Sequence, residues 1–371
     1  MKVLFLTNIP SPYRVNFFNE LGKHCDLTVL FETNASTERD ASWNAYQFVN
    51  FRGIILPGIR TGLDTAFCPS VIKYLRRHRY DYIILTVLAS PTGLLASAWL
   101  KLFHIPYYYE GDGGTVKKKK GLKAAIKRFI ISSAGLCFST SAEFDHYCTA
   151  YGASRDKICR YPFTSIYEKD ILNEVPSDSH KAMLREELNI TEAHFILSVG
   201  RIVPIKGYDI LLKAFSRICD PGWGIYIVGG EVTSEYQQIV TDLSLKNVHF
   251  IEFKLPKELA KYYMAADIFV LPTRYDPWGL VINEAMAVGL PVITTYACGA
   301  GTEMVMQEKN GYLYKPEDIS ALETHLRKLM SSEKLRAQYG AVSLRIAADY
   351  TIEKMAETHY HVLAGDTEKG I

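Results

Sequence analysis

Two carboxylates eight residues apart, Asp276 and Glu284, stand around a turn into a helix in the segment DPWGLVINEAMAVGLPV (276–292). Pro277 and Gly279 supply the turn, residues 280–288 have helical composition, Gly289 sits just past the helix end, and Pro291 opens a buried strand, PVITT. Asp276 is therefore expected in the loop before the helix and Glu284 about a turn inside it, roughly 6 Å further on at about 1.5 Å per residue. Between them lie backbone N–H groups at the positive end of a helix dipole, which suit a phosphate. Carboxylates accept hydrogen bonds from hydroxyls. A ligand with hydroxyls at both ends and phosphates between them, such as a nucleotide-sugar, fits this layout. The plainer alternative makes Asp276 an N-cap and Glu284 a helix-surface glutamate.

A second constellation lies upstream in SVGRIVPIKGYDILLKAF (198–215). Gly200 ends an apolar run that reads as a strand, and open α/β sheets bind ligands at strand C-termini. Arg201 and Lys206 flank a tight loop with Pro204 and Gly207. The arginine offers a two-pronged fork and the lysine a point charge, a pair able to neutralise a diphosphate. Two solvent-facing surface charges would read the same way. IYIVGGE (225–231) ends a further strand in Gly229 and Gly230, where a ligand can approach the backbone closely, although a plain turn also uses two glycines. NVHFIEFKLP (247–256), with Phe253, is placed to lend backbone groups to a nucleotide base.

The first half carries other candidates. Its first strand-to-helix loop reads NIPSPYR (8–14) and lacks GxGxxG, which argues against a dinucleotide there. YYYEGDGG (107–114) follows another strand and offers Glu110 and Asp112, or else only a turn shaped by Asp and Gly. KKKKGLKAAIKRFIISS (117–133) carries Lys117, Lys118, Lys119, Lys120, Lys123, Lys127 and Arg128 and no acid. Leu122, Ile126, Phe129 and Ile130 fall on one helical face. That makes either a core-facing helix with a solvated basic face, or a surface for an anionic membrane or a lipid diphosphate.

The elements that must position these residues alternate regularly. Strands are expected at 2–8, 26–32, 80–86, 105–110 and 135–141, with helices at 15–23 and 93–103 and a basic helix within 117–133. The pattern then restarts: strands at 194–200, 224–230, 247–253 and 267–273, with helices at 207–218, 234–245 and 255–266. Strand–helix alternation implies parallel, doubly wound sheets. Two such units suit a chain of 371 residues. We expect an N-terminal Rossmann-like domain at 1–170 and a C-terminal one at 171–349. The less regular segment 163–192 should link them, and a last helix near 352–363 is placed to cross back to the first domain.

Composition narrows the function classes. Hydrophobic content of 48% and charged content of 22% are ordinary for a globular protein. No apolar run reaches the roughly 20 residues of a membrane span, and the opening MKVLFLTNIPSPYR turns polar too soon for a secretory signal. Seven scattered cysteines show no metal spacing, so a reduced, cytoplasmic protein without structural metal is expected. Residues 1–170 carry 22 Lys+Arg against 14 Asp+Glu, whereas 171–371 carry 20 against 26. A basic half and an acidic half imply different partners.

Taken in order and separation, VGRIVPIKGYDILLKAF and DPWGLVINEAMAVGLPVITT resemble the family-4 glycosyltransferases, retaining GT-B-fold enzymes that use nucleotide-sugars. The resemblance is specific over about 195–315 and fits the whole chain in layout. It implies two Rossmann-like domains facing a cleft. It implies that Glu284 binds ribose hydroxyls and that Arg201 and Lys206 hold the diphosphate, helped by the amides near Gly279 and Leu280. By their position, Gly200, Gly229, Gly230, Phe253, Pro277 and Trp278 complete the expected donor site. The family pairs two glutamates at this spacing. Asp276 is one methylene shorter, and by resemblance it contacts hydroxyls of the transferred sugar. The loop at 8–14 faces the acceptor in the family, so Asn8, Tyr13 and Arg14, with Glu110 and Asp112, are acceptor-side candidates. Glu110-x-Asp112 also mimics a metal-binding DxD of another glycosyltransferase fold, but GT-B enzymes use cationic side chains and a helix N-terminus instead, so no metal or other cofactor is expected. The expected partners are a nucleotide-sugar and a saccharide or lipid-linked acceptor, with an anionic membrane surface on the second reading of residues 117–133, and no nucleic acid. A nucleotide-sugar epimerase of the same fold, or a non-catalytic sugar-nucleotide binding protein, are the alternatives.

Overall fold

The computed structural model describes residues 1–34, 46–87, 90–116, 121–218 and 220–365. The chain divides into two compact units. One contains Met1–Ser165 and Thr351–Ile371, the other Ile166–Tyr350.

The first unit is built on a seven-stranded sheet of order β3-β2-β1-β6-β7-β8-β9. Its strands are β1 (Lys2–Thr7), β2 (Asp26–Phe31), β3 (Arg52–Ile55), β6 (Tyr82–Leu85), β7 (Tyr108–Gly111), β8 (Cys137–Ser139) and β9 (Ile158–Arg160), with β4 (Ile59–Arg60) and β5 (Ala66–Phe67) forming a separate hairpin. Every pair in the large sheet is parallel. Its helices are α1 (Pro12–Leu21), α2 (Pro91–Leu102), α3 (Leu122–Ile131), α4 (Ala142–Ala150) and the last helix of the chain, Ile352–Ala364. β1 is apolar and buried over Val3–Thr7, as a parallel strand covered on both faces requires. The last helix packs on α1, and Phe17 of α1 meets His359 ring to ring at 4.8 Å.

The second unit has a six-stranded sheet of order β12-β11-β10-β13-β14-β15, again parallel throughout. The strands are β10 (His194–Val199), β11 (Trp223–Val228), β12 (Val248–Ile251), β13 (Ile268–Leu271), β14 (Val292–Thr295) and β15 (Gly311–Tyr314). Counted within the unit this is the doubly wound order 3-2-1-4-5-6, whose direction reverses between β10 and β13; ligands of such sheets bind at that crevice. The helices are α5 (Asp178–Glu187), α6 (Tyr208–Ser216), α7 (Ser234–Asp242), α8 (Pro256–Ala265), α9 (Leu280–Ala287), α10 (Gly299–Met304), α11 (Ile319–Met330) and α12 (Glu333–Ala347), which makes Ile352–Ala364 α13.

One segment departs from the sequence expectation. Residues 163–192, read as a linker, contain α5, capped by Ser177 Oγ and packed on α8. Arg185 of α5 pairs with the buried Asp267 at 2.7 Å, and Lys181 lies 3.5 Å from it. The helix looks irregular in sequence because its covered side carries long cations rather than an apolar stripe.

Candidate functional site

The carboxylates and cations of the second unit converge at the reversal between β10 and β13. β10 ends at Val199, and Gly200 and Arg201 follow it; β13 ends at Leu271, and the chain runs through Thr273 and Asp276 into α9. Gly229, after β11, holds φ +147° and lies so close to the β10 loop that a Cβ there would sit 2.4 Å from Gly200 O. Only glycine fits. Gly230 borders open space, with no described atom within 4 Å of where a Cβ would project.

Lys206 closes a single 3-10 turn, Pro204–Lys206, and its Nζ donates to Asp276 Oδ2 at 2.5 Å. Both side chains keep some exposure, 19% and 13%. The turn is fastened from several sides. Tyr208 OH donates to Gly200 O at 2.9 Å, Thr273 Oγ1 to Ile205 O at 3.0 Å, and Arg274 N to Ile205 O at 2.8 Å. The Arg274 guanidinium grips Asp209 with two 2.9 Å bonds and also reaches Glu317 and Pro204 O. Its pKa is raised, first by the hydrogen bond to Asp209. Burial alone would raise the Asp209 carboxyl's pKa, but Arg274 and Lys213 hold it below its usual range.

The turn into α9 leaves the helix start without a side-chain cap and without an acid in its first turn. Gly279 is the N-cap at φ +95°, where a Cβ would meet Cys298 Sγ at 2.8 Å. The N-terminal amides and the dipole they end are thus left to attract an anion. Glu284 lies one turn into the helix, half-buried, and accepts from Tyr263 OH at 2.8 Å. Burial first, then Glu284, pushes the Tyr263 hydroxyl well up in pKa, so it remains a donor. Leu280 is half-buried, Pro277, Arg201 and Phe253 are exposed. Trp278 corrects the sequence reading. Its side chain is buried, donates to Asn283 Oδ1 at 2.9 Å and packs near Tyr350, so it contributes to the turn from the core and presents no ring to a ligand.

The first unit treats its candidates differently. Asn8 is half-buried, and its Nδ2 donates to Asp64 Oδ2 at 3.0 Å. Tyr13 meets the Phe163 ring edge-on at 5.8 Å, and Asp112 is exposed. Arg14 and Glu110, by contrast, are buried at 7% and 2% exposure and paired through Arg14 Nη1 and Glu110 Oε1. Tyr161 OH donates to the same carboxylate at 3.3 Å, and His359 Nε2 stands 3.3 Å from its other oxygen. His359 Nδ1 lies 2.7 Å from the Met355 carbonyl, so it carries a proton and donates. Burial would push the Glu110 carboxyl up, but Arg14 and His359 bring it down to about 2. The structure therefore withdraws Arg14 and Glu110 from the acceptor side and makes them an internal ion pair.

Among the basic residues, Lys117, Lys118, Lys119 and Lys120 lie outside the described residues. Lys123 and Arg128 are exposed, and Lys127 lies over the Tyr147 and Tyr151 rings. Sequence reasoning passed over Tyr208, Tyr263, Thr273 and Arg274. Thr273 and Arg274 stand in LPTRYD at the end of a strand facing the 201–207 loop, and that placement was their signal. No described group of three or more His, Cys, Asp or Glu is placed to hold a metal ion, and the six described cysteines are free thiols.

Residues 181–343 match the family model described as glycosyl transferases group 1. An uncharacterized glycosyltransferase of Haemophilus influenzae is 32% identical over 47% of this chain and 50% of its own. Mannosylfructose-phosphate synthase of Agrobacterium fabrum is 29% identical over 75% of this chain and 66% of its own. The chain thus spans between half and two thirds of the length of these curated relatives. Anabaena HepE, solved in complex with UDP, superposes with a TM-score of 0.77 at 18% identity, covering 98% of this chain and 100% of that one. At that identity the likeness concerns the fold.

Proposed function

Because residues 181–343 match the family model of the group 1 glycosyl transferases and the chain carries the GT-B fold, we propose that the protein is a retaining glycosyltransferase. It moves a hexosyl-type sugar from a nucleoside diphosphate, UDP in preference to GDP, onto a hydroxyl of a saccharide or lipid-linked saccharide. The observation that carries this reading is the joining of Lys206, Asp276 and the uncapped start of α9 at the reversal point of one sheet. UDP is favoured because HepE, of the same fold, was solved with UDP.

In the proposed reaction the bond from the anomeric carbon to the diphosphate oxygen breaks, and a bond to the acceptor oxygen forms on the same face. The acceptor proton passes to the departing phosphate. Negative charge grows on the diphosphate, and Arg201, Lys206 and the α9 amides stabilise it, which is electrostatic catalysis by fixed groups. Glu284, oriented by Tyr263, holds the ribose hydroxyls. Asp276 turns to hydroxyls of the transferred sugar once the diphosphate takes Lys206 from it. No metal or other cofactor enters this scheme. Assembly of surface polysaccharide or glycolipid, at the cytoplasmic face of a membrane, is the proposed setting.

Incubation with labelled UDP- and GDP-sugars tests the reading. Transfer or slow hydrolysis supports it, inversion at the sugar C2 would indicate an epimerase, and tight binding without turnover a sensor. If neither Arg201→Ala nor Lys206→Ala weakens binding of any nucleoside diphosphate, the donor site has been misassigned.

A further inference from the structure

Arg274 stands next to the donor-side lysine, yet every donor it owns is already used. A guanidinium carries five N–H groups and no acceptor. Nε and Nη2 donate to the two oxygens of Glu317, Nη1 and Nη2 donate to the two oxygens of Asp209 at 2.9 Å each, and the second Nη1 proton goes to Pro204 O. Two carboxylates face its single charge. Arg274 therefore has neither a donor nor an unbalanced charge to offer a diphosphate. Lys206, by contrast, faces the one carboxylate of Asp276.

The groups that Arg274 joins belong to three loops at the C-terminal end of one sheet. Pro204 lies in the turn after β10 and Asp209 in the first turn of α6, Arg274 follows β13, and Glu317 follows β15 with its backbone at φ +70°. The main chain repeats the tie. Arg274 N donates to Ile205 O at 2.8 Å, and Gly207 comes so near Pro272 that a Cβ would stand 2.1 Å from the Pro272 carbonyl oxygen. Arg274 thus holds both peptide carbonyls that precede Lys206, those of Pro204 and Ile205. No residue of the Pro204–Lys206 turn is buried, and Ile205 is 45% exposed. The place of the turn depends on these bonds and not on core packing, and the lysine stem starts from it.

We infer that Arg274 is a positioning residue of the donor site: with Asp209 and Glu317 it fixes the turn that presents Lys206 to the diphosphate, and it touches no substrate itself. The inference rests on the reading of Lys206 as a diphosphate ligand and names the residue through which that lysine is set. A displacement of about 1 Å in such a group can cost as much as about a hundredfold in rate. Lysine cannot take over the task, because an ammonium offers three donors from one point where this site uses five spread over a plane.

Calorimetric titration of the full chain with UDP, carried through a double-variant cycle, tests it. Lys206→Ala should weaken UDP binding roughly 10- to 100-fold, the range for hydrogen bonds to charged groups. Arg274→Ala should weaken it roughly tenfold while Lys206 is present, and by less than about twofold once Lys206 is alanine, since a lysine that is absent cannot be misplaced. A residue that served the fold alone would lower the melting temperature and leave the UDP affinity of the folded protein unchanged in both backgrounds. Should Arg274→Ala fold poorly, Asp209→Asn loosens the same fork and should show a smaller loss with the same dependence on Lys206. Losses that multiply across the cycle would make Arg274 a UDP ligand in its own right and overturn the inference. So would an Arg274→Ala protein that binds UDP normally beside a weakened Lys206→Ala, and in both cases the donor site stands. If Lys206→Ala itself leaves UDP affinity unchanged, the role given to Lys206 fails, and the inference with it.

Discussion

Arg14–Glu110 in the first unit and Lys206–Asp276 in the second are cation–carboxylate pairs near the C-terminal ends of two sheets that share a strand order. Arg14 and Lys206 each follow the strand from which the order reverses. Glu110 stands next to last in the second strand beyond that point, and Asp276 follows the first. The first pair is sealed at 8% and 2% side-chain exposure, with Tyr161 and His359 closing around it and the rings of Phe17 and Phe18 under the guanidinium. The second keeps 19% and 13%, beside an uncapped helix start. A buried pair has exchanged water for its partner and strands a charge when either member goes. A half-open pair can give up its partner for a ligand of the same charge. Similar placement therefore serves cohesion in one unit and, as proposed, recognition in the other.

The sharpest way to break this comparison is Arg14→Ala. It leaves Glu110 charged, buried and without its guanidinium, and should cost about 3–5 kcal/mol of stability. Urea melts read out the loss. Nucleoside diphosphate affinity of the protein that remains folded should stay unchanged. A stable variant that had lost only transfer to the acceptor would return Arg14 to the acceptor side.

Lys206→Ala is the mirror experiment. Removing a cation that faces growing negative charge should lower turnover roughly 10²–10³-fold, while the stability loss should stay below that of Arg14→Ala because Asp276 keeps some access to water. A large stability loss with normal turnover would erase the distinction between the two pairs.

Acid probes the sealed pair without mutation. The Glu110 carboxyl falls from an ordinary 4.5 to about 2 in the folded protein. A lowered folded pKa contributes stability that is complete above the unfolded value and is lost as pH falls through the folded one. About 3 kcal/mol should therefore vanish between about pH 4.5 and pH 2. Asp267, held at about 2 against its burial by His194, Lys181 and Arg185, adds a loss in the other unit between about pH 3.8 and pH 2. Glu110→Gln and Asp267→Asn should each flatten their own share of the pH–stability curve. If Glu110→Gln leaves the curve unaltered, the pair is not the buried charge described.

The same contrast explains what could be read from the chain. β10, β11 and β13 are continuous apolar runs because parallel strands are covered on both faces, and the loops after them had to hold whatever chemistry the unit has. Arg14 was unreadable as a buried group. Nothing near it in sequence distinguishes a surface arginine from one whose carboxylate lies 96 residues away. Helix α3 left two readings open for another reason. Its sequence offers apolar residues on more than one side, and periodicity cannot tell which side the sheet covers. Tyr263 and Arg274 were missed because their importance lies in what they grip, Glu284 and the turn bearing Lys206.

The smallest predicted effect bears on Asp276 itself. Glu284 of α9 is tied to Tyr263 of α8, whereas the Asp276 side chain, among the described residues, bonds a lysine that the proposed donor would claim. Their roles should then separate under a one-methylene change. Asp276→Glu keeps the charge and the pairing with Lys206 but advances the carboxylate about 1.5 Å toward the sugar side of the site. Competition among UDP-sugars differing at one hydroxyl should shift their kcat/KM ratio roughly tenfold, the scale on which a methylene discriminates. UDP affinity should stay within about twofold, because Lys206 retains both its charge and its place and Glu284 is untouched. A variant that lost UDP binding as much as sugar discrimination would show that Asp276 supports the diphosphate through Lys206. It would then be closer in kind to Glu110 than its exposure suggests.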